Sequence, residues 1–198
     1  ATMSSSNHDD EHLGKLRRYY AQTRRIPTYQ RIAELIGFST PAAKKFMDRM
    51  AKEGLVIRTP DDDAWIPAPK FFERPMVEAS VQAGNPVTVE AVPAEPFLID
   101  EYVVRNPAQT VLIPVNGDSM SAAGINEGDL AVVERGTSAR DGDFVVAIVD
   151  GDYTLKELAT ERGQKVLKPH NPDYPVIRPK GSLEIFGVLV GLIRRYQR

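Results

Sequence analysis

The sequence predicts an α+β chain of two units: a helical N-terminal unit with a short β-wing, and a mostly antiparallel β domain after it. Three observations carry this. Apolar residues recur at helical spacing as far as Met50. From Val111 onward, short β-branched runs alternate with Gly- and Asp-containing turns. The charge also changes sign between the units: residues 11–58 hold eleven Lys and Arg against four Asp and Glu, and residues 71–198 hold thirteen against eighteen. With 198 residues the chain is long enough for two domains, expected at 11–68 and 76–198 with a linker at 69–75.

In the N-terminal unit, Leu13, Leu16 and Tyr20 mark one face of a helix of roughly three turns that ends at Ile26-Pro27. Ser4 to Asp10 reads as a polar, mobile tail. Thr28 caps a second helix with Ile32, Leu35 and Ile36 inward and Gly37 as its left-handed end. Ser39-Thr40-Pro41 opens a third, whose inward face is Ala43, Phe46, Met47 and Met50. Two helices joined by the tight turn Gly37-Phe38-Ser39 form a helix-turn-helix. The outward residues of its second helix are Ser39, Thr40, Ala42, Lys44, Lys45 and Arg49, the candidate DNA-contacting set. Residues 55–58 and 64–66 read as wing strands, with three aspartates at the tip that disfavour phosphate there. Helical trios of this kind also serve protein contacts alone, so the pattern leaves both uses open.

Composition removes several classes of function. There is no cysteine, hence no disulfide, thiol catalysis or zinc-thiolate site, and a reducing, cytoplasmic setting is expected. The three histidines form no close pair, so no metal site and no cofactor are expected. No apolar run is long enough for a membrane span, and the N-terminus lacks the order of a signal peptide.

The β domain offers a serine and a lysine as candidates for chemistry. Ser119 follows a strand in Asn116-Gly117-Asp118-Ser119-Met120, where Gly117 permits a bend that exposes a hydroxyl and turns backbone N–H groups toward a developing oxyanion. A serine nucleophile needs a base. His8 and His12 lie in or beside the tail and His170 in a Pro169-His170-Asn171-Pro172 turn, which leaves Lys156, in an otherwise apolar strand. Burial lowers a lysine pKa and yields a neutral amine able to accept the proton. A turn serine is more often a cap and a strand lysine more often faces solvent, so the residues alone keep that alternative open.

A resemblance bears on both units. Ile26-Pro27-Thr28, Arg31 to Phe38, Ala42-Ala43 and Met50 to Leu55 resemble the winged helix-turn-helix of LexA repressors, although Lys44-Lys45 stand where known members carry an acidic pair and Pro41 replaces a base-reading asparagine. Gly117 to Met120, Gly124-Ile125, Gly128 to Leu130, Gly142-Asp143, Val146-Ala147, Asp150-Gly151 and Thr154 to Lys156 resemble, in the same order, the LexA/UmuD self-cleaving peptidases of the S24 type. The resemblance implies a LexA-type repressor that binds operator DNA as a homodimer. It implies Ser119 as nucleophile, Lys156 as general base and Ala83-Gly84 as the bond cut, with Asp118 structural. It further implies that RecA filaments on single-stranded DNA stimulate the cut in the DNA-damage (SOS) response. The alternatives are a peptidase fold retained only for dimerisation, a relative of signal peptidases acting in trans, and a UmuD-like polymerase accessory protein.

Overall fold

The computed structural model of the chain describes residues 4–77 and 93–196. Among them no helix is long and apolar enough to cross a membrane. The chain divides into two compact units, Ala1–Ile99 and Asp100–Arg198.

The first unit holds α1 (Ser4–Thr23), α2 (Tyr29–Ile36), α3 (Thr40–Lys52), β1 (Val56–Arg58) and β2 (Trp65–Pro67). A 3-10 turn at Pro69–Phe72 and the strands β3 (Arg74–Val77) and β4 (Pro93–Phe97) follow. The Thr28 hydroxyl accepts the Arg31 N–H and the Ser39 hydroxyl accepts the Ala42 N–H, which satisfies one free donor at the start of each short helix. Gly37, at φ +75°, ends α2 in the left-handed conformation and turns the chain toward α3. One core joins these elements: Leu16, Ile32, Phe46, Met47, Met50 and Val56 are all at most 2% exposed. The inward face of α3 is the one expected, while on α2 Ala33 is fully buried and Leu35 only partly. β1 and β2 pair antiparallel, Arg58 opposite Trp65, as the wing.

Two expectations for this unit are corrected. Ser4 to Asp10 is not a tail: α1 begins at Ser4 and runs for 20 residues. The start of the helix is held from outside, since Asp9 accepts two hydrogen bonds from Arg49 of α3 and His12 is buried edge-on against Phe38 and Phe46. The expected linker is structured: Pro69–Phe72 form the 3-10 turn, and Arg74 and Pro75 open β3. Phe71 is 1% exposed in the helical core, Tyr20 meets its ring edge, and the Arg17 guanidinium donates to its carbonyl at 2.7 Å. An aromatic two residues beyond Pro69 has apolar surface to bury, and the core of its own unit lies within reach.

In the second unit, α4 (Ile99–Val103) at the division leads to a six-stranded sheet. Its strands are β5 (Thr110–Pro114), β6 (Leu130–Glu134), β7 (Phe144–Val149), β8 (Asp152–Glu161), β9 (Gln164–Lys168) and β10 (Leu183–Ile193). The order is β5-β6-β10-β7-β8-β9, antiparallel throughout. The last strand therefore inserts at the centre, between β6 and β7. Its pairing shifts register between Ile185 and Gly187 and again between Leu189 and Gly191. A Cβ on Gly187 would lie 2.7 Å from the Glu134 carbonyl oxygen, so this crossing requires glycine. Apolar groups pack on both faces, around Val145, Leu158 and Leu167 on one and Ala131, Val133 and Val146 on the other. Beyond β10, Arg194 grips the buried Asp129 carboxylate at 2.6 and 2.7 Å and the Gly124 carbonyl at 2.6 Å. This pairing holds the Asp129 carboxyl below its ordinary pKa.

If Phe71 belongs to the helical core, Phe71→Ala should destabilise the first unit by about 3–5 kcal/mol, the usual cost of removing a buried phenyl ring. Chemical denaturation of a fragment ending at residue 77, followed by Trp65 fluorescence, measures this. A change under about 1 kcal/mol, the range of ordinary surface substitutions, would return residues 69–72 to the linker.

Candidate active site

Ser119 and Lys156 lie 37 residues apart in sequence and meet in the second unit. β5 ends at Pro114, and the next residue is fastened to the following turn: Val115 N–H donates to the Asp129 carbonyl at 2.8 Å and Gly128 N–H returns to that of Val115 at 3.0 Å. Gly117, at φ +83°, then bends the chain back in a conformation that side-chain-bearing residues rarely adopt. Ser119 opens the turn that follows, with Met120 and Ile125 buried beneath it. None of the backbone hydrogen bonds among the described residues engages the N–H of Ser119 or Met120. Among the described residues, both donors are thus open to an incoming oxygen.

Lys156 comes from β8, where it sits opposite Val145. The residue is 7% exposed. Its amine lies 2.8 Å from Ser119 Oγ, 3.0 Å from Thr154 Oγ1 and 2.9 Å from the Leu155 carbonyl oxygen. All three partners are neutral, and among the described residues no carboxylate forms an ion pair with it. Burial alone therefore acts on the amine and pushes its pKa below the ordinary lysine value. A cavity of about 300 Å³ opens beside the pair. Ile113, Val115, Met120 and Tyr153 line it together with Ser119 and Lys156. The arrangement presents a hydroxyl and a base of lowered pKa at the wall of a partly apolar cleft, which suits it to bind an extended peptide and attack a carbonyl.

The strand alternation that places Lys156 here also supplies a residue that the sequence did not single out. Thr154 stands two positions earlier and points the same way, which is why its hydroxyl reaches the amine. Its signal is the Thr-x-Lys spacing on one strand. Asp118 does not approach the amine; its carboxylate accepts the Tyr174 hydroxyl at 2.5 Å and its carbonyl accepts Asn171 Nδ2 at 3.1 Å. The His170 ring bonds Glu157 rather than the serine hydroxyl.

On α3, Ser39, Thr40, Lys44 and Lys45 are exposed and Ala42 is half-buried. Two residues of the expected DNA-contacting set have other partners. Ser39 is the helix cap, and Arg49 is held by Asp9 at 2.7 and 2.8 Å, with Phe46 below the guanidinium. The free cations of this face are thus Lys44 and Lys45, which enter no ion pair among the described residues. Ala83 and Gly84 lie outside the described residues; the strands on either side of that segment, β3 and β4, pair antiparallel with Arg74 opposite Phe97.

The chain is similar to known proteins over both units. A family model described as Peptidase S24-like matches residues 75–190. The LexA repressor of Opitutus terrae is 38% identical, over 94% of this chain and 96% of its own length. The LexA repressor of Shewanella frigidimarina is 34% identical, over 93% of each chain. That of Clostridium acetobutylicum is 32% identical, over 86% of each. Matches over nearly the whole length cover the helical unit as well as the β domain, so the chain belongs to the LexA-type repressors, with a second unit of the Peptidase S24-like family.

Proposed function

We propose that the chain is an operator-binding repressor that inactivates itself by cutting its own Ala83–Gly84 bond, with Ser119 as nucleophile and Lys156 as general base. The observation that carries the reading is the 2.8 Å separation of Lys156 Nζ and Ser119 Oγ, with the amine buried and unpaired by any carboxylate among the described residues. The Lys156 lone pair takes the hydroxyl proton as Oγ bonds to the Ala83 carbonyl carbon. The oxyanion is received by the N–H groups of the nucleophile turn. Lys156 then returns the proton to the Gly84 nitrogen, which leaves as an amine, and water releases the Ala83 ester with Lys156 again as base. Small residues on both sides of the bond let the backbone approach Ser119 closely.

The same reading extends to the whole repressor. The helix α3 enters the major groove, with Thr40 and Ala42 at its start near the base edges and Lys44 and Lys45 reaching phosphate or guanine. The second unit dimerises through apolar groups that β5 and β10 leave exposed, among them Leu112 and Val190, and so sets two readers on a two-fold operator. Cleavage separates reader from dimer, and a RecA filament on single-stranded DNA stimulates it in the DNA-damage response.

The purified full-length chain should yield two fragments at alkaline pH, the first ending at Ala83 by intact mass. Only the neutral amine serves as base, so the rate should rise with pH and level off once Lys156 is deprotonated, at a pH below the ordinary lysine range. Ser119→Ala should abolish the cut, and Lys156→Ala should slow it by about 10²–10⁴-fold. Cleavage persisting in Ser119→Ala would overturn the mechanism. An intact wild-type chain under alkaline conditions and with an activated RecA filament would leave the peptidase fold a dimerisation module.

Lys44→Ala and Lys45→Ala should each weaken operator binding and lower the slope of log affinity against log salt by about 1. An unchanged slope in a gel-shift series would remove α3 from the interface. Residues 100–196 should sediment as a dimer at tens of micromolar, and a Leu112→Asp, Val190→Asp double variant as a monomer. A monomeric wild-type fragment would refute the dimerisation face.

A further inference from the structure

His170 reaches both halves of the proposed dyad without touching either reacting atom. Its backbone N–H donates to the Ser119 carbonyl at 2.9 Å, and its own carbonyl accepts the Ala122 N–H at 2.8 Å. Residue 170 is thus laced to the nucleophile turn on both sides of Met120. Its Nε2 hydrogen-bonds the carboxylate of Glu157, the residue next to Lys156 on β8. Phe144, on the neighbouring strand, meets the imidazole edge-on with ring centres 5.4 Å apart, which restricts its rotation. Beyond His170, Asn171 Nδ2 donates to the Asp118 carbonyl and Tyr174 to the Asp118 carboxylate, while Arg178 pairs with Glu161 at the far end of β8. The His170 side chain is the one bonded to β8 directly beside Lys156 among the described residues.

We infer that His170 is a positioning residue that sets the distance between Ser119 Oγ and Lys156 Nζ by tying the nucleophile turn to β8 through Glu157. The inference rests on the dyad reading above. The physical need is plain. Ser119 sits on an irregular turn and Lys156 on a regular strand, and the two belong to elements with no backbone ladder between them. One hydroxyl–amine hydrogen bond, at the end of a lysine side chain with four rotatable bonds, does not fix that spacing. A displacement of about 1 Å costs on the order of 100-fold in rate. Successive strand residues point to opposite faces. The tie at Glu157 therefore meets β8 on the face of the strand opposite to Lys156.

The test is self-cleavage of the full-length chain across an alkaline pH series, with wild type, His170→Ala, Glu157→Ala, the double variant and His170→Gln. The two backbone bonds of residue 170 survive each substitution, so only the side-chain tie is removed. Each alanine variant should lower the plateau rate by about 10–100-fold. Each should also raise the pH of half-maximal rate, because a loosened Lys156 amine is better hydrated. The double variant should be no slower than the slower single, since both break one tie. His170→Gln, whose amide still donates to Glu157, should recover most of the rate. Multiplying losses in the double variant, or alanine variants within about twofold of wild type with an unmoved half-maximal pH, would overturn the inference. If His170→Ala does not fold, Glu157→Ala alone decides, by the same rate and pH readings. Ser119→Ala, run alongside, separates the two ideas: cleavage there refutes the dyad itself, whatever His170 does.

Discussion

A lysine amine enclosed by the second unit, whose partners among the described residues are a serine hydroxyl, a threonine hydroxyl and a peptide carbonyl, is the constraint around which the site is built. As an ammonium it would keep three acceptors but no counter-charge, and burial disfavours that form. The folded state therefore binds this proton less firmly than the unfolded chain does. Below the folded pKa both states carry the charge, and its burial is a standing cost. Between that pKa and the usual lysine value, near about 10.4, the unfolded chain holds more protons, so the contribution to stability improves as pH rises. Fold stability and reactivity at this position accordingly move in the same direction with pH.

The remainder of the unit makes that enclosure rigid. β10 fills the centre of the sheet and closes the apolar layer on which Ala131, Val133 and Val146 sit. Gly187 allows the close approach to β6 at the position where the pairing with β7 shifts register. Asp129 then fastens the chain on either side of the nucleophile turn: its carbonyl receives Val115 N–H, and its carboxylate receives Asn126 N–H and the Arg194 guanidinium. An aspartate so deeply buried is tolerated because each oxygen has a charged or N–H donor. The last residues of β10 and those just beyond it thereby help to hold a turn formed 70 residues earlier in the chain.

The first unit distributes its charge by a similar economy. Arg49 and Asp9 neutralise each other across α1 and α3, and Arg31 pairs with Glu34 along α2. Lys44 and Lys45 are left as cations on the outer face of α3. Part of the positive charge of this unit is thus used in holding the long first helix to the third, and Lys44 and Lys45 enter no ion pair among the described residues.

The sequence alone determined the short-range features. Thr28, Ser39 and Gly37 act through their own backbone neighbours, within three or four residues, so the starts of α2 and α3 and the turn between them were legible. The strand runs were legible for a like reason, since β-branched residues bounded by Gly–Asp turns express local conformational preference. The pairing of Ser119 with Lys156 was legible only through a family resemblance. Spacing along a chain does not reveal that a turn and a strand 37 residues apart will close to 2.8 Å. Tertiary structure decided what depends on distant partners. The polar stretch from Ser4 to Asp10 is helical, in a helix whose first turns are held by Asp9 on Arg49 and by the burial of His12. Phe71 is core rather than linker because the helical core accepts its ring. β10 lies between β6 and β7, and His170, which reads locally as an ordinary turn residue, bridges the nucleophile turn to the strand of the base. In each case a side chain's surroundings, and so its charge state and mobility, are set by groups that no local pattern contains.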